Sequence, residues 1–343
     1  FKTVGRIGAK TLIYFYSATI VALILGLLLV NVFKPGESLH IHDTATSGVV
    51  EVAKAPGIKD FITHVIPKSI FEAMANNEIL SIVVFAIFFG IGTAAIGEKG
   101  KIIIQTLDSV AHVMFKITNY VMKFAPLGVF GAIAAVIARQ GIGILWSYAN
   151  LIVLFYCGLL FFGFVLLGLF CFAIGIPFVK LFRHVRDPFI LAFSTASSEA
   201  AFPKMVENLE KFGCSNRIIS FVLPLGYSFN LDGSIMYMTF ATAFIAQAYG
   251  KVLTIEEQIT MMLILLITSK GVAGVPRASL VVIAALLPHF NLPEAGLLLL
   301  LGIDQILDMG RSATNIIGNA VATAVVSKWE NELDPIEQTS TEI

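Results

Sequence analysis

The segment 302–319 places ionic and amide side chains in an otherwise apolar run. These side chains are Asp304, Asp308, Arg311, Ser312, Asn315 and Asn319. At about 100° per residue they fall within roughly 100° of arc on one helix. An arginine fork in a dry cavity binds a carboxylate, and a carboxylate nearly one turn away attracts an ammonium group. The spacing therefore predicts a site for a small molecule that carries both charges.

Two simpler interpretations of this polar stripe stay open from the sequence. In a soluble protein such a stripe is usually the solvated face of a helix. Alternatively, Asp308 and Arg311 only neutralise each other at i, i+3. The second interpretation does not explain why the cost of burying two charges is incurred.

The composition indicates an integral membrane protein. Of 343 residues, 57% are hydrophobic and 13% are charged, with zero net formal charge, whereas soluble domains have about 25% charged residues. Residues 144–176 contain no charged side chain and can cross a hydrocarbon core of about 30 Å. Closed barrels show alternation instead of such runs. We therefore predict an all-α, multi-pass protein of the cell membrane.

Other functional classes lack the necessary residues. No basic tract of the kind that binds a phosphate backbone is present, so nucleic-acid binding is not expected. The three cysteines and six histidines show no metal-ligand spacing, so no cofactor is predicted.

The apolar and polar pattern divides the chain into eight parts. Short apolar arms around serine-rich or glycine-rich tips predict re-entrant hairpins, because neither arm reaches the roughly 20 residues of a full span. For the first hairpin we expect a basic, cytoplasmic segment, 179–188, followed by a short arm, 189–193. In order, the parts are a first helix, 1–33; a loop with helices, 34–140; a long helix, 141–178; hairpin 1, 179–214; an interrupted helix, 215–250; hairpin 2, 251–290; the polar helix, 291–329; and a disordered tail, 330–343.

Residues 223–234, LPLGYSFNLDGS, interrupt a segment that is otherwise long enough to span. Proline, glycine and asparagine in this stretch predict a broken helix, beginning near Pro224. Broken backbone at membrane depth must be buried or line a cavity, where its free carbonyl groups can bind a cation. The predicted order is hairpin, interrupted helix, hairpin and polar helix. Paired interrupted segments in corresponding halves of a transporter indicate a transport site between inverted repeats. The candidate cation ligands are Asp232, Asp304, Gly226, Asn230 and Asn315.

Four segments, STASSE, GYSFNLDGS, TSKGVAGVP and DMGRSATNIIGN, closely resemble the signature segments of the dicarboxylate/amino acid:cation symporter family, in the family's order. The resemblance covers essentially the whole chain. It implies a homotrimer in which a transport domain, including 1–33 and 141–178, moves as an elevator against a scaffold that includes 34–140. Because the likeness begins at the family's third helix, we expect the first two helices to be missing from this chain.

The resemblance also implies a role for each site residue. The substrate-binding positions are Ser197, Ser198, Ser234, Val275, Asp308, Arg311, Ser312 and Asn315. In this scheme the hairpin 1 tip offers backbone N–H groups to a substrate carboxylate, Ser234 contacts the main-chain carboxylate, and Val275 belongs to a gate in hairpin 2. Asp308 takes the amino group and Arg311 the side-chain carboxylate. The C4-dicarboxylate branch of the family has no acidic residue at the position of Asp308. The resemblance therefore favours symport of glutamate or aspartate over C4-dicarboxylates.

Three positions that bear on the coupling ion depart from the sodium-coupled members of the family. Asn319 replaces an aspartate ligand, and Phe15 and Ala18 replace tyrosine and threonine. Losing a carboxylate weakens the attraction of a site for a cation. We therefore predict H+ coupling with Glu199 as a proton carrier, although a purely structural Glu199 fits equally well. The alternative is Na+ bound at Gly226, Asn230, Asn315 and Asn319.

Two unrelated classes compete with a transporter. An intramembrane aspartyl protease would use Asp232 and Asp304 as a dyad, but the dyad must share a proton and Arg311 nearby would keep an acid ionised. An ion channel would not need a zwitterion-shaped charge pair. Arg277, which stands where many family members have glycine, has no explanation in the sequence.

Overall fold

The computed structural model describes residues 2–39, 69–75, 79–271 and 277–334. Within these ranges the chain is helical, and its only β-type pairing is an isolated bridge between Cys214 and Leu333. The predicted all-α class is confirmed. The α-helices are α1, Lys2–Phe33; α2, Ile70–Ala75; α3, Ile79–Ala95; α4, Lys101–Met122; α5, Ala125–Gln140; α6, Ile144–Leu160; α7, Leu167–Ile174; α8, Phe178–Thr195; α9, Phe202–Phe212; α10, Asn216–Phe229; α11, Asp232–Ala248; α12, Ile255–Thr268; α13, Ala278–Leu286; α14, Leu298–Leu301; and α15, Asp304–Trp329.

Three helical segments of the described chain are long and apolar enough to cross a membrane: Gly5–Phe33, Ile144–Ile174 and Asn216–Ala248. Large apolar side chains also face outward on α3 to α5, among them Phe88 and Phe130. An outward apolar surface of this extent suits hydrocarbon or another protein rather than water. The assignment of these helices to a scaffold and a transport domain stays a prediction.

Helix α1 packs along α11 at unusually close range. The Thr239 hydroxyl donates to the carbonyl of Leu23 at 3.1 Å, and the Gln247 amide donates to the carbonyl of Val30 at 2.9 Å. Gly26 permits this approach, because a Cβ atom there would overlap the Met236 carbonyl on α11. The contact fixes α1 beside the helix that follows the predicted break.

Hairpin 1 differs from the prediction in its first arm. The predicted arm, 189–193, is too short, because the basic segment 179–188 belongs to the same helix, α8, which runs through Pro188. The buried residues of α8 are Leu181, Val185, Pro188 and Ala192. Their spacing of four, three and four residues forms one apolar stripe, so the basic side chains between them stay on the opposite face. The helix then ends at Ala196, which adopts a left-handed conformation with φ 51°.

Hairpin 2 consists of α12, a 3-10 turn at Ser269–Gly271, and α13. A capping box begins α12: the Glu257 N–H donates to the Thr254 hydroxyl, and the Thr254 N–H donates to the Glu257 carboxylate. This arrangement satisfies two N–H groups that the first turn of a helix leaves free. The predicted gate residue Val275 lies in 272–276, outside the described residues.

The predicted interruption separates α10 from α11 at Asn230 and Leu231. Both residues have non-helical backbone angles. The expectation that the break begins near Pro224 was wrong, because α10 continues through this proline to Phe229. Neighbouring groups in a membrane helix can satisfy the carbonyl that a proline leaves without a donor. The break therefore places Asp232 at the start of a new helix.

The polar stripe belongs to α15, which begins at Asp304. Helices α6, α8, α10 and α11 pack around α15, and nearly every residue from Leu307 to Ser327 is buried. The interpretation of the stripe as a solvated helix face is therefore wrong. Because α15 is buried on all sides, each of its ionic side chains destabilises the fold unless an opposite charge and hydrogen bonds compensate it.

The ends of α1 and α15 are joined by an ionic cluster. Glu330 lies 2.6 Å from Arg6 Nη2 and 2.7 Å from Lys10 Nζ. Hydrogen bonds from these two cations lower the pKa of Glu330 to about 2. Residues 330–334, the first part of the predicted tail, are anchored in this region, and 335–343 lie outside the described residues.

Candidate functional site

Arg311 is a fully buried charge of the polar stripe, with 0% of its surface exposed. Its Nη2 atom lies 3.1 Å from Asp304 Oδ1 and 2.8 Å from Asp308 Oδ1. The guanidinium carbon lies 3.9 Å from the centroid of the Tyr237 ring on α11. Among the described residues, Arg311 Nε and Nη1 have no hydrogen-bond partner. The two acids therefore contact only Nη2 of the three guanidinium nitrogens. The N–H groups on Nε and Nη1 favour an anionic ligand.

The two acids of the stripe also contact hairpin 2 and α11. Asp308 Oδ2 accepts a hydrogen bond from the backbone N–H of Arg277 at 2.8 Å. Asp304 Oδ2 lies 3.9 Å from Arg277 Nε, and Asp304 Oδ1 accepts a hydrogen bond from Tyr237 at 3.0 Å. Arg277 has φ 66° and immediately precedes α13. A second arginine thus balances the second acid, which gives Arg277 the explanation that the sequence lacked.

Asn315 joins α15 to the first turn of α11. Its Oδ1 atom accepts hydrogen bonds from the backbone N–H groups of Gly233 at 2.9 Å and Ser234 at 3.4 Å. Its Nδ2 atom donates to the Ser234 hydroxyl at 3.3 Å. Because the N–H groups of a first helical turn have no partner within the helix, Asn315 acts as a cap supplied from outside. The structure thus brings together two predicted substrate-binding residues, Ser234 and Asn315.

A second buried polar cluster lies at the break between α10 and α11. Asn230 Nδ2 donates to Asp232 Oδ2 at 3.2 Å and to Asn319 Oδ1 at 3.5 Å. A Cβ atom on Gly226 would overlap the Asn319 amide, so these groups are in close contact. Within the described chain, Asn230 Oδ1 and Asp232 Oδ1 lack hydrogen-bond partners. Four predicted cation residues, Gly226, Asn230, Asp232 and Asn319, thus form one cluster. Asn315 instead caps α11, and Asp304 lies beside Arg311.

Buried oxygen atoms without donors suit a bound cation, and this cluster supplies two of them. Carboxylate, amide and backbone oxygens are the ligands that hard cations prefer, and carbonyls at an unwound helix coordinate ions in transporters. The cluster contains a single carboxylate, that of Asp232, because Asn319 contributes a neutral amide. A metal ion would therefore find fewer negative ligands here than a site with two acids supplies.

The tip of hairpin 1 approaches α10. Ser198 is 1% exposed, and its hydroxyl has no partner among the described residues. Ser197 is half-buried and donates its N–H to the carbonyl of Ala192 at 3.2 Å. Glu199 is half-buried and lies close enough to Tyr227 of α10 to interact with it electrostatically. Ser312 is buried on α15.

Three residues at the site escaped the sequence interpretation. Tyr237 is one of many aromatic residues in an apolar helix, and nothing in its spacing marks it. Lys270 was visible as the only charged residue between Glu257 and Arg277, yet its role was not predicted. Thr19 hydrogen-bonds Lys270 from a helix far away in the sequence.

Apolar helices around a buried set of ionic groups, together with an interrupted helix and two hairpins, define a helical membrane transporter. The chain belongs to the sodium:dicarboxylate symporter family, whose model matches residues 1–329. Members of this family are symporters, so the family resemblance is confirmed, the chain is not an enzyme, and the aspartyl protease alternative is wrong. Symport also implies a transported substrate and a coupling cation.

The names of similar proteins include two kinds of substrate, acidic amino acids and C4-dicarboxylates. The proton/sodium-glutamate symport protein of Bacillus subtilis (strain 168) is 42% identical over 340 residues, covering 97% of this chain and 79% of the relative. The proton/glutamate-aspartate symporter of Escherichia coli (strain K12) is 42% identical, covering 97% of this chain and 78% of the relative. The C4-dicarboxylate transport protein of Bacillus subtilis (strain 168) is 41% identical, covering 97% and 80%.

Proposed function

We propose that this protein imports glutamate or aspartate across the cell membrane by symport with H+, with Na+ as the alternative coupling ion. The observation that carries the proposal is the fully buried Arg311 guanidinium group, which has two nitrogens without partners in the described chain and two acids beside it. Such a group attracts the carboxylate of a substrate, and a neighbouring acid attracts an amino group.

The proposed roles follow this charge pattern. Arg311 binds the side-chain carboxylate and Asp308 the amino group. Ser234 contacts the main-chain carboxylate, and the hairpin 1 tip, Ser197 and Ser198, offers backbone N–H groups to a substrate carboxylate. Ser312 and Asn315 complete the pocket, and Val275 belongs to its gate. The names of the glutamate and glutamate-aspartate relatives support this substrate class.

A second candidate is symport of C4-dicarboxylates, which the similarity to dicarboxylate transport proteins favours. A dicarboxylate has no amino group, so an acid at position 308 would have no attractive partner on such a substrate. Arg277 and Arg311 together could bind two carboxylates, but Asp304 and Asp308 already contact these arginines. The charge balance therefore supports a ligand that brings its own ammonium group.

Replacing Asp308 by asparagine should separate these two substrate classes. We expect the affinity for L-aspartate to fall by about 30-fold or more, because a buried carboxylate that pairs with an ammonium group is lost. Binding of succinate, which has no amino group, should weaken less or improve. The measurement is equilibrium binding of both ligands to the purified protein.

The matched control for Asp308→Asn is Asp108→Asn, since Asp108 is an exposed acid on α4. This variant should bind both ligands like the wild type. Equal losses of aspartate and succinate affinity in Asp308→Asn would contradict a role for Asp308 at the amino group.

We further propose that the protein is a homotrimer in the plasma membrane whose transport domain moves as an elevator. In this mechanism Glu199, which is half-buried near Tyr227, carries the proton. Asn319 supports H+ over Na+, because the amide adds no negative charge to the cluster of Gly226, Asn230 and Asp232. Na+ coupling would instead use oxygens of Gly226, Asn230, Asn315 and Asn319.

Uptake into proteoliposomes with separately imposed gradients tests the coupling ion. We expect an inward proton gradient in sodium-free buffer to drive accumulation of L-glutamate or L-aspartate. A sodium gradient without a pH difference should drive much less. Uptake that requires sodium and ignores the pH gradient would defeat the proton proposal while leaving the substrate proposal intact.

A further inference from the structure

Lys270 is a buried cation that contacts two other helices, α1 and α10. Its side chain belongs to hairpin 2, and the residue is only 6% exposed. The Nζ atom lies 2.6 Å from the Thr19 hydroxyl of α1 and 2.8 Å from the backbone carbonyl of Phe229. It also lies 5.2 Å from the centroid of the Tyr16 ring. Two oxygens and one aromatic face thus surround an ammonium group that has three N–H donors.

The groups around the Lys270 ammonium carry negative charge or partial negative charge. Phe229 is the last residue of α10, and the carbonyl end of a helix carries a partial negative charge. The nearby carboxylate of Asp232 is fully buried and interacts electrostatically with Lys270. The other side chains of the cluster, Asn230 and Asn319, are neutral. Without a cation, the carbonyl end of α10 and the buried Asp232 carboxylate would lie close together with no full positive charge to balance them, which would be unfavourable.

Lys270 differs from a diffusible ion because it is covalently part of hairpin 2. Its hydrogen bonds to α1 and α10 hold the end of α12 against the break between α10 and α11. A metal ion at the same place would make the same connection only while bound. Lys270 makes the connection at every sodium concentration.

We propose that the Lys270 ammonium group is a tethered cation that takes the place of one coupling metal ion beside Asp232. This inference rests on the proposed function for its consequence, namely that substrate binding does not require a metal ion at this position. It also makes a structural claim that does not involve substrate: removal of the ammonium group creates a site for a monovalent cation.

The test uses Lys270→Met, which keeps most of the side-chain volume and removes the charge. In the absence of substrate, replacing choline chloride by sodium chloride should raise the unfolding temperature of Lys270→Met by about 2–4 °C more than that of the wild type. In choline chloride, Lys270→Met should bind L-aspartate about tenfold more weakly than the wild type, and sodium should restore most of the loss.

Two variants control for charge and for helix capping. Lys251 also donates to a backbone carbonyl, that of Phe290 at 2.6 Å, and pairs with Glu257 at 2.8 Å. Lys251→Met should therefore respond to sodium like the wild type. Lys270→Arg retains the positive charge and should gain no sodium response. Equal sodium responses in Lys270→Met, Lys251→Met and the wild type would overturn the proposal.

A double variant covers the case in which Lys270→Met cannot be purified. Combining Lys270→Met with Asp232→Asn removes the unpaired anion, so the double variant should fold and show no extra sodium response. Failure of the double variant to recover stability would overturn the proposal. Because the stability measurement contains no substrate, it stays informative even if the wild type does not bind acidic amino acids.

Discussion

Replacing Arg311 by alanine should abolish binding of L-aspartate and L-glutamate, with affinities at least about 100-fold weaker than those of the wild type. Truncating one partner of a buried, hydrogen-bonded charge pair costs about 2–5 kcal/mol, and each 1.4 kcal/mol is tenfold in affinity. The expected loss lies toward the upper end because Asp304 and Asp308 would lose their contacts with Arg311 and repel an anionic ligand. Equilibrium binding of both amino acids measures the effect.

Substitutions at two arginines separate this effect from general damage. Arg217 is half-exposed and pairs with Glu332 at 3.0 Å on the surface, so Arg217→Ala should bind substrate like the wild type. Arg311→Lys keeps the charge and loses the planar fork, which predicts an intermediate affinity. Neutral amino acids should not lose affinity in Arg311→Ala. Native affinity of this variant for aspartate would contradict the role that we propose for Arg311.

The polar stripe was predictable because helical periodicity depends only on local spacing. The positions of Asp308, Arg311 and Asn315 placed them on one face of a helix, and α15 has this form. The expense of burying ionic groups then indicated a cavity rather than a solvated face. An interruption within 223–234 was predictable for a similar reason, since polar residues at membrane depth need unwound backbone or partners. Its position at Asn230 was not predicted.

The sequence was less informative about helix boundaries. The basic residues between 179 and 188 led us to begin the first arm of hairpin 1 at Phe189. The apolar side chains of α8 nevertheless form one continuous stripe, from Leu181 to Ala192, that packs against α15. Burial of the stripe outweighs the hydrogen bond that Pro188 forgoes. Composition cannot reveal which neighbour will cover such a stripe.

The partners of the buried charges were the least predictable feature. Tyr237 contacts Arg311 across two helices, and Lys270 reaches Thr19 over 251 positions of sequence. Such contacts depend on how α1, α11 and α15 pack against other parts of the chain. The pattern of residues within one helix does not predict that packing. What the sequence does show is that the charges of Lys270 and Arg311, in apolar segments, need compensation. Arg311 pairs with Asp304 and Asp308, and Lys270 interacts electrostatically with Asp232.

Replacing Gly233 by alanine should reduce uptake of acidic amino acids at least about tenfold and lower the unfolding temperature by several degrees. A Cβ atom at this position would lie 2.6 Å from the carbonyl oxygen and 2.9 Å from the Cα atom of Arg311. Both are backbone atoms, so α11 and α15 must separate at the binding site. Overpacking of this kind costs about 1–3 kcal/mol, and small displacements of binding groups weaken their interactions strongly.

The separation should also weaken a defined hydrogen bond, which distinguishes Gly233→Ala from a general loss of stability. The Gly233 N–H donates to Asn315 Oδ1 at 2.9 Å, so substrate affinity should fall together with the unfolding temperature. Gly168→Ala is the matched control: its Cβ atom would lie 3.5 Å from the Phe178 ring, an ordinary contact distance, and alanine favours a helix over glycine. This control should keep wild-type uptake and stability. If Gly233→Ala behaved like Gly168→Ala, the close contact between α11 and α15 at Arg311 would not be a requirement for transport.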